Sequence, residues 1–236
     1  MAAYKRIVLK LSGETLAPEN KSGSFDAARV DRAAQAIIAL HDMGVQVGVV
    51  IGGGNIWRGR FSDDMNPVNA DQMGMLATII NALAVQDAIV RQGRKATVLT
   101  AQEMTRFARL YTRDTALSLL EEGHIVLLAG GSGNPFFTTD TAAALRAAEL
   151  NADAVFKGTT VDGIYDSDPR KNPDAKLIPE ITYKEAIAQG LKVMDLTAFT
   201  LCMEQKIPVI RVFNMDDLDN ILKVAAGEKL GTTAHA

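Results

Sequence analysis

Two lysines occupy positions where an ammonium group is expensive. Lys10 interrupts the apolar run "RIVLKL" (6–11), and Lys157 closes "ADAVFK" (152–157). A buried ammonium without a partner is strongly disfavoured, so each side chain should meet an anion. After Lys10 the chain reads "KLSGE" (10–14), where Ser12 and Gly13 offer a hydroxyl and backbone N–H groups to phosphate oxygens. The plain alternative is a lysine that snorkels to solvent before an ordinary turn. A second glycine loop, "IGGGNIWRG" (51–59), permits close approach of backbone to a ligand, and Arg58 adds a planar fork suited to phosphate. It also reads as a mere tight turn. Two familiar phosphate motifs are missing: the dinucleotide fingerprint would need its third glycine at Trp57, and no Gly-Lys dipeptide exists to make a P-loop.

A third loop, "LLAGGSGNPFFTTDT" (127–141), mixes glycines, aromatic rings and hydroxyls. Thr138, Thr139 and a helix starting near Asp140 make an anion site, because a helix N-terminus offers free N–H groups and a positive dipole end. Alternatively Thr139 or Asp140 only caps that helix and both phenylalanines are core. The fourth loop is "FKGTTVDGIYDSDPR" (156–170). There Tyr165 could stack on a base and Asp168 accept from a sugar or base, or the stretch is a surface hairpin turned by Asp-Gly. Two strand-end lysines, two glycine loops, an arginine and a helix N-terminus together suit phosphoryl transfer, which needs positioning and charge neutralisation. No Ser-His-Asp set or thiol–base pair competes with that reading.

The elements that must position these residues follow from periodicity. Apolar runs at 6–11, 45–51, 96–100, 124–129, 152–157 and 208–213 are rich in Val and Ile on both parities, as strands covered on both faces should be. Helical patterns fall at 25–44, 71–93, 139–151 and 216–227, the second apolar enough to be largely buried or to face another subunit. Strand–helix alternation implies an α/β sandwich around a mainly parallel sheet, with ligands outside the strand C-termini. The 236 residues are 47% apolar and 22% charged, an ordinary globular composition. A net charge of -3 argues against a nucleic-acid-binding surface. One cysteine excludes an internal disulfide framework, and three scattered histidines give no metal-ligand spacing. The N-terminus lacks a signal-peptide pattern and no run reads as membrane-spanning, which makes the cytoplasm the expected compartment.

The segments "YKRIVLKLSGE", "VGVVIGGGNIWRG", "MGMLATIINALA", "GNPFFTTDTAA", "VDGIYDSDP", "LKVMDLTAFTL" and "VFNM" resemble the bacterial uridylate kinase family, a branch of the amino acid kinase superfamily. The likeness spans nearly the whole chain. It implies a three-layer αβα sandwich around a mainly parallel sheet, forming one domain over 1–236. The part up to about residue 150 would mainly bind acceptor and dimerise, and the part from about 151 would mainly bind ATP. The implied reaction is phosphoryl transfer from ATP to UMP in pyrimidine nucleotide synthesis, with Mg²⁺ carried by ATP rather than by protein side chains. By the same resemblance, Lys10, Leu11, Ser12 and Gly13 match the donor-phosphate loop, with Lys10 stabilising the transferring group. Gly53 matches an acceptor-side glycine, while Gly54 and Arg58 match phosphate contacts shared with the donor side. Asp71 matches the carboxylate at the acceptor ribose. Ser132, Gly133, Asn134, Pro135, Phe136, Phe137, Thr138 and Thr139 match the UMP loop. Thr159, Tyr165 and Asp168 match adenosine contacts. Lys157 is similar to a second transition-state lysine, Asp140 to the carboxylate that orients both lysines, and Asp195 to an acid at the site edge.

The family resemblance further implies a homohexamer of three dimers, activated by GTP and inhibited by UTP. Two segments depart from it in length, "LAPENKSGSFD" (16–26) and "FSDDMNPVNAD" (61–71). The first lies where GTP contacts are often placed, so the effector response stays open. Competing readings are a carboxylate or carbamate kinase on the same fold, and a nucleotide-sensing module without catalysis. Asp71 together with "NPFFTT" speaks against the former, and both lysines with Asp140 against the latter.

Overall fold

Strands that are apolar on both parities need cover on two faces, and one long sheet between two helical layers supplies it. The computed structural model describes residues 2–20, 22–58, 65–191, 193–217 and 219–236. The first half of the chain runs β1 (Arg6–Leu11), α1 (Ala27–Asp42), β2 (Gln46–Ile51), α2 (Pro67–Arg91), β3 (Ala96–Thr100), β4 (Arg109–Leu110), α3 (Arg113–Glu121) and β5 (Ile125–Ala129). Then come α4 (Thr139–Glu149), β6 (Ala154–Thr159), β7 (Ile164–Tyr165), β8 (Leu177–Ile178), β9 (Glu180–Thr182), α5 (Tyr183–Ala188), α6 (Leu196–Glu204), β10 (Val209–Asn214), α7 (Asn220–Ala225) and β11 (Thr232–His235). The main sheet has the order β4-β3-β5-β2-β1-β6-β10-β11-β9. It is parallel from β4 to β10, with β11 antiparallel to β10 and β9 parallel to β11. Strand order reverses beside β1, so the C-terminal ends of β1 and β6 flank the crevice where open α/β sheets hold ligands.

Alternation along each strand assigns the side chains to layers. Ile7, Leu9 and Leu11 pack with α1, α2 and α7, while Val8 and Val155 pack with α3, α4, α5 and α6. Lys10 and Lys157 lie two residues beyond Val8 and Val155, so both point into the α4 layer. The three-layer sandwich expected from the resemblance is the fold observed.

Several boundaries differ from expectation for identifiable reasons. α2 starts one turn before the expected Asp71 because Asn66 caps it, accepting from Val68 N at 2.9 Å, and Pro67 fits the first turn. By length and composition α2 is long and apolar enough to cross a membrane, contrary to the sequence expectation; here it packs on the sheet and α1. The C-terminal helix shrinks to Asn220–Ala225. The elements α3, β4 and α5 and the β9–β11 edge are too short to show a clear period. Asp162–Gly163 turns no hairpin: it leads into β7, whose partner β8 follows the connection 166–176. Gly163 serves packing instead, since a Cβ there would lie 2.5 Å from Thr232 Oγ1. Of the segment 61–71, residues 61–64 lie outside the described residues.

Candidate functional site

Lys10 and Lys157 are register partners across the parallel β1–β6 pair, on the same face. Their ammonium groups converge on Asp140 in the first turn of α4. Lys10 Nζ lies 3.0 Å from one carboxylate oxygen, and Lys157 Nζ pairs with the other. Asp140 is positioned from behind by hydroxyls. Its backbone N–H donates to Thr138 Oγ1 at 3.0 Å, and the Thr138 hydroxyl donates to Asp195. The Thr141 hydroxyl donates to the same carboxylate at 2.8 Å, and Asp195 caps α6 by accepting from Ala198 N at 2.7 Å. The starts of α4 and α6 are therefore tied together beneath the lysines.

Two ammonium groups sharing one carboxylate leave positive charge at the N-terminal end of α4, where the helix dipole adds to it. Burial alone would raise the Asp140 pKa, but Lys10 and Lys157 outweigh it and hold the carboxyl below its ordinary value. Burial pushes Lys157 down to about 8; Asp140 opposes that shift and Lys10 adds to it. An arriving phosphate would meet a poised, partly desolvated cation pair.

Two loops adjoin this centre. Ser12 starts a single turn of 3₁₀ helix over Gly13–Leu16, its hydroxyl accepting from Glu14 N at 3.3 Å. The glycine loop after β2 is hydrogen-bonded to it, with Gly52 N donating to Leu11 O at 2.9 Å. The Leu11 side chain lies in the core, so only its backbone is available to a ligand. Arg58 pairs with Glu14 and donates from Nε to Gly54 O at 3.2 Å.

On one side of the centre opens a cleft bounded by Gly53, Trp57, Asp71, Thr78, Phe137 and Thr139, with Ser132, Asn134 and Thr138 completing the loop wall. Asp71 reaches across it to accept from Phe136 N at 2.7 Å. On the other side lies a larger cleft of about 530 Å³, bounded by Thr159, Ile164, Tyr165, Asp168, Leu191 and Val193. A narrower groove lined by Ser12, Thr15, Gly158, Thr159 and Met215 runs from that cleft to the loop after β1. The arrangement is a cationic centre with one cleft on either side.

The model of the amino acid kinase family matches residues 5–214. This chain belongs to the amino acid kinase family. It is 52% identical to the uridylate kinase of Parabacteroides distasonis over the full length of both chains. It is 50% identical to that of Bacteroides thetaiotaomicron, again end to end. The solved structure of UMP kinase from Bacillus anthracis matches with a TM-score of 0.94 at 36% identity, covering 98% of this chain and 96% of that one.

In this amino acid kinase, Lys10, Lys157 and Asp140 come together at the centre, Ser12 lines the narrower groove, and Thr159 lines both that groove and the larger cleft. Gly53, Asp71, Ser132, Asn134, Phe137, Thr138 and Thr139 gather on one cleft, and Tyr165 and Asp168 on the other. Gly133, Pro135 and Phe136 do not line either cleft. The alternative that buries both phenylalanines is corrected: Phe136 is 71% exposed and Phe137 50%. Phe136 also adopts φ 72°, a left-handed backbone that a non-glycine residue holds only under constraint, here supplied by Asp71. Arg58 reaches neither lysine centre nor cleft wall, being held by Glu14. Asp195 supports Thr138 and Thr141 from behind, a positioning task. Sequence reasoning missed Trp57, Met75 and Thr78 on the cleft wall. A detectable signal existed, because Thr78 and Asn81 are polar residues within the most apolar stretch of α2, 73–85.

Proposed function

We propose that this amino acid kinase transfers the γ-phosphoryl group of ATP to UMP, yielding ADP and UDP for pyrimidine nucleotide synthesis. The observation that supports it most directly is the pair of in-register lysines sharing Asp140 between two clefts. Full-length relatedness to uridylate kinases supplies the substrate class. A phosphate oxygen of UMP attacks the γ-phosphorus in line, and the bond to the β–γ bridging oxygen breaks as ADP leaves. The attacking oxygen is already anionic at neutral pH, so no general base is required. Lys10 and Lys157 stabilise charge on the moving phosphoryl group, and Asp140 fixes their geometry. Arg58 joins them on the phosphates after exchanging Glu14 for substrate.

Asp71 accepts from the acceptor ribose, Phe137 shapes the base cleft, and Tyr165, Asp168 and Thr159 hold adenosine. Residues up to about 150 thus serve mainly the acceptor, and the remainder mainly the donor. Among the described residues no three His, Cys, Asp or Glu side chains group to hold a metal ion, and both Asp140 oxygens face lysines. Mg²⁺ therefore fits as a companion of ATP, where it would offset triphosphate charge.

Exposed Met73, Leu76 and Ile80 recur at i, i+3 and i+7 on α2, which supports docking of a second copy as the first step toward a hexamer. Light scattering of Ile80→Glu tests it, with a smaller particle expected. A cytoplasmic location, activation by GTP and inhibition by UTP belong to the same reading. The deciding experiment is ATP-dependent product formation with UMP, CMP, dUMP, carbamate and N-acetylglutamate, repeated with each effector. UDP formation from UMP should dominate; phosphorylation of carbamate or N-acetylglutamate instead would refute the proposal.

A further inference from the structure

Below the two phosphate-facing loops lies a pair of asparagines that the mechanism does not use. Asn81 of α2 is fully buried, while Asn55 belongs to the glycine loop and is half-buried. Their amides exchange hydrogen bonds: Asn81 Nδ2 donates to Asn55 Oδ1 at 2.8 Å, and Asn55 Nδ2 donates to Asn81 Oδ1 at 3.1 Å. Each amide has one N–H left. Asn81 donates it to Gly52 O at 2.7 Å, and Asn55 donates it to Ser24 O at 2.8 Å. All four side-chain N–H groups are thereby used, which fixes the orientation of both amides. The phosphate loop rests directly on this pair. A Cβ on Gly13 would lie 2.3 Å from Asn55 Oδ1, 2.3 Å from Gly52 O and 2.9 Å from Asn81 Nδ2.

We infer that Asn55 and Asn81 are a positioning pair that sets the spacing between the phosphate loop and the glycine loop, and that Ser24 couples the 22–26 segment to that spacing. The inference rests on the functional reading above, in which both loops hold phosphate. Neither side chain touches substrate in this account. Each acts through backbone: Gly52 and Gly13 move if the pair is lost, and the Ser12 N–H and hydroxyl move with them. A fully satisfied buried polar pair of this kind specifies one arrangement, whereas breaking one member leaves the other unpaired. Segment 22–26 meets the pair through the Ser24 carbonyl and the 3₁₀ turn through Asp26 N, which donates to Leu16 O at 2.8 Å, so a ligand or contact that shifts this segment would be felt at the phosphate loop.

The test compares Asn81→Asp, Asn81→Ala, Asn55→Ala and the double alanine variant with the parent protein. A carboxylate at 81 keeps the shape but turns lone pairs toward Gly52 O and Asn55 Oδ1. Turnover is measured well below each variant's melting temperature, together with KM for both nucleotides and amide exchange by mass spectrometry. Asn81→Asp should lower kcat about 10²-fold, the size expected for a misplaced reacting group, with KM for UMP little changed. The double alanine variant should be close to the worse single one, because the pair acts as a unit. Exchange should rise together in segments 12–16, 22–26 and 52–56. A lower melting temperature with kcat retained would reduce the pair to a stability feature. Additive effects of the two single substitutions would break the idea of a unit, and unchanged exchange at 22–26 would remove the Ser24 link. If the parent makes no UDP, the functional reading fails while the exchange experiment still decides the pair. Asn55→Ala, at a half-buried position, covers the case in which position 81 tolerates no change.

Discussion

The lysine centre and the aromatic acceptor loop adjoin in the chain at Asp140, yet they are built on opposite terms. Lys157 and Asp140 are buried, and both oxygens of the carboxylate face an ammonium group. A few residues earlier, Phe136 and Phe137 project into solvent and Phe136 holds a left-handed backbone. The centre is anchored on two adjacent strands and a helix start, elements that cannot shift without disturbing the sheet. The loop is anchored by single hydrogen bonds, among them Phe136 N to Asp71 and Gln102 Nε2 to Gly133 O at 2.8 Å. Charge chemistry requires groups already in place, because reorganisation at the moment of transfer would cost rate. Recognition of a base tolerates a surface that closes on its ligand.

Breaking the rigid side should give the largest effects. Lys157→Met should lower kcat by about 10²–10³-fold, as loss of one transition-state donor does, and Asp140→Asn by about 10²-fold through misplaced lysines. Steady-state assays with saturating nucleotides check this, with circular dichroism confirming the fold. Wild-type turnover in Lys157→Met would remove that lysine from the mechanism. Asp71→Asn probes the join between the two regions, since its carboxylate holds the loop at Phe136 N. Removing a charge-assisted bond of about 1.5–3 kcal/mol should raise KM for UMP by about 10–100-fold and leave KM for ATP nearly unchanged. Equal changes for both substrates would mean that Asp71 serves the fold rather than the acceptor.

Titration sharpens the contrast, because among the described residues the depressed lysine lies in the buried centre. In the proposed mechanism Lys157 acts as a cation, and burial brings its pKa down to about 8. The active form is therefore lost as pH rises through that value. In the free enzyme kcat/KM should fall above about pH 8, where an ordinary lysine would remain charged. Bound phosphates favour the ammonium form, so the corresponding fall in kcat should lie at higher pH. A kcat/KM profile flat to pH 10 would contradict a buried, titrating Lys157.

The same contrast explains what could be read in the chain. Strand-end lysines inside apolar runs are conspicuous, and the sheet then forces Lys10 and Lys157 into register. Both the three-layer fold and the centre were legible because burial leaves few solutions. Less legible were the side chains that join α2 to the glycine loops. Trp57 donates from its indole N–H to Ala70 O at 2.9 Å, and Thr78 accepts from Gly130 N at 2.9 Å. Both depend on how α2 docks against the glycine loops, and local pattern does not encode that. Gly53 shows the limit well. Its lack of a Cβ reads as room for phosphate, but a Cβ there would lie 2.8 Å from Ala77 Cβ and 2.8 Å from Gly74 O. Close packing on α2 demands that glycine whether or not a ligand is near.

The smallest effects belong to the loop itself, and they separate its two rings. Phe137 lines the cleft beside Asp71 and Phe136 does not. Phe137→Ala should raise KM for UMP several-fold with KM for ATP unchanged, whereas Phe136→Ala should change neither substantially. Phe136→Gly adds a second reading at that position, because glycine adopts positive φ without penalty. Relief of the left-handed backbone should stabilise the fold by about 1 kcal/mol, visible as a modest rise in melting temperature. If Phe136→Gly instead lowers the melting temperature, the exposed ring is packing against something, and a second copy of the chain becomes its first suspect. If the two alanine variants raise KM for UMP equally, the loop closes over the base with both rings. The open loop would then stand further from its substrate-bound form than the fixed lysine centre does.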